Sequence, residues 1–177
     1  MNKVLLKYGL IGGSITVLGF FLWPVIMNVL GKEMTDVGIG EVIGYIAMLV
    51  ALSMVFFGVR AQRNQSNGII SFKKAFVSGL VIVLIASFIY VLGWMLYYPN
   101  FMPDFADEYF AAQIETLKSE GLAQAELQAK IKELEEFKTN YEKPTYMIFY
   151  TFMEIFPIGL IVAIISAIIL KRKSIPA

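Results

Sequence analysis

The stretch MIFYTFMEIFPIGLIVAIISAIILKRK, residues 147–173, decides the class of this protein. Its apolar part, about 147–170, exceeds the ~20 residues an α-helix needs to cross the hydrocarbon core of a bilayer. It closes on three consecutive cations, Lys171, Arg172 and Lys173. Near its start stands a carboxyl group, Glu154, three residues before Pro157. An ionisable residue inside a membrane segment is costly, so it marks a candidate functional site whose partner has to be found.

Three further apolar runs precede it, at about 5–30, 41–59 and 75–98. The first is too long for a secretory signal core of about 7–15 residues, and no A-x-A-like cleavage site follows it. It reads as a retained helix. The third ends in Trp94, Tyr97 and Tyr98, which resembles an aromatic belt at a membrane interface. The expected fold is an all-α membrane protein with four transmembrane helices.

Residues 99–144 differ in kind. They form the one long hydrophilic stretch, and its acidic side chains outnumber its lysines. Two amphipathic helices fit it, at about 104–119 and 122–139, separated by Gly121. Phe110, Ile114 and Leu117 line one face of the first, and Leu127, Ile131, Leu134 and Phe137 one face of the second. The stripes can cover each other, close over the mouth of the bundle, or dock another protein through 104–139. Lysine–glutamate pairs are expected on the outer faces, Glu126 with Lys130 and Glu135 with Lys132.

Charge then orients the chain. Lys3, Lys7, Arg60, Arg63, Lys73, Lys74 and the cluster Lys171, Arg172, Lys173 all fall on one side of the four runs, without an acidic residue among them. The positive-inside rule makes that side cytoplasmic. Both termini are therefore expected inside and the hairpin 99–144 outside, in an extracytoplasmic position.

Composition excludes much chemistry. The 177 residues are 58% hydrophobic and only 16% charged, with net charge +1, no His and no Cys. That removes thiol nucleophiles, histidine-based triads and the usual zinc sites. No enzyme, no cofactor and no metal is expected. Nucleic acid is not an expected partner, since the basic loops are short; the lipid bilayer is. No feature of the sequence sets an oligomeric state.

Several segments resemble the domain of unknown function 4199 family of bacterial membrane proteins. They are GEVIGYIAML (40–49), FFGVRAQR (56–63), ISFKKAF (70–76) followed by Gly79, PDF (103–105) and EIFPIGLIVAIISAIILKRK (154–173). FFGVRAQR lacks the aromatic residue that the commoner form has where Ala61 or Gln62 stands here. The resemblance implies a four-helix integral protein of the bacterial inner membrane with an outer loop between the third and fourth helices. It implies no activity.

Helical rise places the candidate polar groups. Glu154 lies about seven residues inside its helix, roughly 10 Å deep, and Tyr90 reaches a similar depth in the third run. Trp23, Glu41 and Tyr45 fall in the outer parts of theirs. These five compose a candidate polar layer. No Lys or Arg shares that depth. Three roles fit Glu154: a hydrogen-bonded tie between helices, a proton- or cation-linked transport site, or a ligand site. Gly9, Gly13, Gly40 and Gly44 repeat the small-xxx-small spacing, which serves either packing within the bundle or dimerisation. The leading expectation is a non-enzymatic accessory or structural membrane protein whose hairpin makes external contacts. The alternative is a small transporter or channel-like protein using Glu154.

Overall fold

The computed structural model describes residues 2–33 and 36–172, and Lys173 of the basic cluster lies outside them. Six helices follow in order: α1 Lys3–Val29, α2 Val37–Gln65, α3 Phe72–Phe101, α4 Phe105–Ser119, α5 Gln124–Tyr141 and α6 Pro144–Leu170. Four of them, α1, α2, α3 and α6, are long and apolar enough to cross a membrane.

Local chemistry sets the ends. The Asn2, Asp36 and Ser71 side chains accept hydrogen bonds from the free N–H groups of Val4, Ile39 and Lys74 at the starts of α1, α2 and α3. Pro144 opens α6, where its missing N–H costs nothing. Two ends differ from expectation. Helix α2 runs on to Gln65 rather than stopping with the apolar run at 59, because Arg60, Gln62 and Arg63 are good helix formers. It stops where Asn67 and Gly68 turn left-handed, at φ 53° and 78°. Helix α3 continues through Pro99 to Phe101, with the Asn100 amide donating to the Leu96 carbonyl at 2.7 Å.

Helix α3 is the centre of the bundle and packs on α1, α2 and α6. In lipid, apolar burial does not drive helices together, so close contact at small residues must. Gly9 and Gly13 of α1 sit against Ile85 and Ile89 of α3, Gly79 of α3 against Ala163 of α6, and Gly159 of α6 against Val83. Around these contacts Leu52, Val55, Ile82, Val83, Ile155 and Ala163 form a core with 0–1% exposure. Leu18, Phe88, Leu96 and Ile169 point outward, as contact with acyl chains requires.

The basic residues of the α1 start, the α2–α3 connection and the α6 end gather at one end. There the α2–α3 loop pairs with the segment after α6: Ile70 and Arg172 exchange two backbone hydrogen bonds, 3.2 and 2.9 Å. Asn2 also donates to Gln62 there.

The other end carries α4 and α5, which turn back on each other at Gly121, φ 68°. Their apolar stripes are half-buried against each other, with Phe110 fully buried and its ring 5.7 Å from Phe137. Lys138 of α5 pairs with Asp107 of α4, and Lys130 with Glu126. Lys132 pairs with Glu136, not with Glu135, because i,i+4 brings the two side chains alongside.

Candidate functional site

At the hairpin end the four long helices leave a partly open cavity of about 700 Å³. Residues of α4 and α5 line its roof, including Phe105, Tyr109, Phe110, Phe137 and Tyr141. Trp23, Glu41, Tyr45, Tyr90 and Glu154 all line this one cavity.

Its deepest polar contact joins α3 to α6. The Tyr90 hydroxyl donates to Oε2 of Glu154 at 3.0 Å. Tyr90 is buried, its ring 5.2 Å from that of Phe20. Glu154 keeps exposed surface and faces the cavity. Among the described residues the ion pairs are Lys32–Asp36, Lys118–Glu115, Lys130–Glu126, Lys132–Glu136 and Lys138–Asp107. Glu154 and Glu41 belong to none of them.

Two bonds tie the roof to the walls. The Tyr109 hydroxyl of α4 donates to Glu41 of α2 at 3.3 Å, and the Trp94 indole N–H of α3 donates to the Tyr141 hydroxyl of α5 at 2.7 Å. Burial pushes the Tyr141 phenol up to about 12, although the neighbouring Thr151 hydroxyl and the Trp94 bond favour its ionised form. Burial also raises the Tyr109 phenol, and the Glu41 carboxylate raises it further. Both roof hydroxyls are therefore neutral donors and acceptors at ordinary pH.

A further polar group lies in the wall. Among the described residues three buried side-chain atoms lack a hydrogen-bond partner: Arg63 Nε, Ser87 Oγ and Thr151 Oγ1. Of these only Thr151 lines the cavity, and it is 3% exposed. The Tyr141 hydroxyl lies close enough to interact with it, so the two hydroxyls form one polar edge of the cavity. Among the described residues no three carboxyl, imidazole or thiol groups converge as metal ligands would.

The glycines separate. Gly9 and Gly13 serve contact inside the bundle, and Gly40 lies under the Trp23 ring. Gly44, expected at a helix contact, meets no neighbour within 4 Å and lines the cavity instead. The expected aromatic belt is also redirected. Tyr97 is buried against Phe20 and Phe21, and Trp94 turns to Tyr141, because the roof offers its N–H a partner that lipid cannot. Sequence reasoning missed Thr151, Trp94, Tyr109 and Tyr141 as site residues. Thr151 had a signal: it lies three residues before Glu154, on the same helical face.

No curated protein and no solved structure matches the chain in a search of either. A family model described as "Protein of unknown function (DUF4199)" matches residues 7–172, nearly the whole chain. The end-to-end match agrees with the four apolar helices and their inserted hairpin, and the chain belongs to this family of unknown function.

Proposed function

We propose that this chain is a non-enzymatic multi-pass protein of the bacterial cytoplasmic membrane that holds a small hydrophobic molecule in the hairpin-roofed cavity. The observation that carries this reading is the cavity itself. It has the size of a ligand site, an apolar wall, and a few convergent polar groups, among them Glu41, Tyr141, Thr151 and Glu154. A non-enzymatic role draws on a composition without His or Cys.

Against a channel stands the core beside Glu154. Ile155, Leu52, Val83 and Ile82 are almost fully buried there and pack as an apolar plug. Against a hairpin built mainly for protein contacts stands the use of its apolar stripes, which face each other and the cavity. A partner reaching residues 104–139 would meet mostly charged side chains.

Both tryptophans of the chain, Trp23 and Trp94, line the cavity, so intrinsic fluorescence reports its contents. Bromobenzene, a neutral heavy-atom quencher, is expected to quench the purified protein with a saturable component. Gly44→Phe, which places a ring in the cavity, should remove that component. Purely linear quenching, equal in wild type and variant, would sink the reading.

The membrane orientation that goes with it has both termini cytoplasmic and the hairpin outside. Single cysteines at Ser119 and Asn67 are expected to react with an impermeant maleimide from opposite faces of the membrane. Labelling of both from one face would overturn the orientation.

A further inference from the structure

We propose that the molecule held in the cavity is a lipophilic cation; this rests on the binding reading above. The argument begins with charge. Three carboxyl groups line the cavity, Asp36, Glu41 and Glu154, and no Lys or Arg does. Lys32 already pairs with Asp36 at 3.2 Å. Glu41 and Glu154 have only the Tyr109 and Tyr90 hydroxyls as hydrogen-bond donors among the described residues, so neither carboxyl group has a protein counter-ion.

The wall has the matching chemistry. Aromatic rings present a negative face, and cations are drawn to it most strongly where water is scarce. Trp94 and Tyr45 stand among the lining with Tyr90. A neutral guest would leave the two carboxyl groups as they are, whereas an anion would be repelled by them. A cation with an apolar body satisfies both features together. Its polar hydrogen, where it carries one, meets hydroxyl oxygens of Thr151 and Tyr141 on the cavity wall. Glu41 at the hairpin end and Glu154 deeper in mark a path for positive charge from the mouth inward.

Tetraphenylphosphonium, tetraphenylborate and triphenylphosphine oxide share a phenyl-clad body and carry positive, negative and no charge. Their binding to the full chain in detergent is measured by equilibrium dialysis. The cation is expected to bind saturably and about tenfold or more tighter than the other two, and Glu154→Gln should weaken it by about tenfold while leaving the neutral compound unaffected. Glu41→Gln, at an exposed position that does not threaten folding, is expected to weaken the cation alone by about threefold. Equal binding of cation and neutral compound, insensitive to both substitutions, overturns the cation assignment and leaves the binding reading intact. Preference for the anion overturns it likewise. Saturable binding of none of the three overturns both.

Discussion

Replacing Gly9 and Gly13 together by alanine is expected to loosen the bundle strongly. A Cβ at Gly9 would stand 2.6 Å from the Ile85 Cβ, and one at Gly13 2.6 Å from the Ile89 Cβ. Neither neighbour is the free end of a flexible chain. Both are β-branched and held on α3, so the helices themselves must separate. Overpacking of this kind costs about 1–3 kcal/mol per site. The two sites lie one turn apart along one seam and will not behave independently. Thermal unfolding of the purified protein should show a large drop for the pair and none for Gly44→Ala, whose Cβ meets nothing within 4 Å. Because the seam is internal, the mass of the protein–detergent particle should not report the loss of a partner copy. An unchanged melting temperature with an altered particle mass would instead assign the seam to an interface between copies.

The second large effect concerns the roof. Phe137 touches α4 through Phe110, at 5.7 Å between ring centres, and α6 through Tyr150, at 4.4 Å. It is one apolar link between hairpin and bundle, beside the ring contacts of Trp94 with Phe105 and of Tyr98 with Tyr141. Phe137→Ala is expected to release the hairpin without unfolding the bundle. Phe137 is half-buried, so the cost is about half of the ~3–5 kcal/mol of a fully buried phenylalanine. Limited proteolysis should cut between α4 and α5 faster in the variant, while the melting of the four long helices stays near that of the wild type. Saturable quenching of Trp94 should weaken in parallel, since its partner Tyr141 belongs to the released element. Unchanged proteolysis would mean that the bonds from Trp94 and Tyr109, with the Trp94–Phe105 and Tyr98–Tyr141 ring contacts, hold the roof without Phe137.

The long helices and their inserted hairpin could be read from the chain because membrane helices must satisfy every backbone group internally and so announce themselves as long apolar runs. The meeting of Glu154 and Tyr90 was readable too, since both lie at equal depth from one end and depth follows from a constant rise per residue. What escaped was rotational. Hydropathy sees no difference between the lipid-facing and inward-facing sides of a helix as uniformly apolar as α6, so the direction of Thr151 was signalled only by its place one turn before Glu154. The roof escaped for another reason. Tyr109 and Tyr141 reach the cavity only because the hairpin folds back over it, and that return is decided by Phe110, Phe137 and Tyr150 together. The boundaries of α2 and α3 escaped because a helix ends where its backbone can turn, not where its apolar run ends.

The seam between α3 and α6 has a consequence for how the protein is made. A chain is synthesised from its N-terminus, and α6 comes last of the six helices. Until it arrives, Val83 and Gly79 have no Gly159 and Ala163 to lie against, and Tyr90 has no carboxyl group to bond. On the orientation proposed above, three inserted helices wait as an open trough in the bilayer while the hydrophilic hairpin crosses. The last helix then closes the wall and delivers the glutamate in one event, so assembly of the bundle and completion of its pocket are a single step.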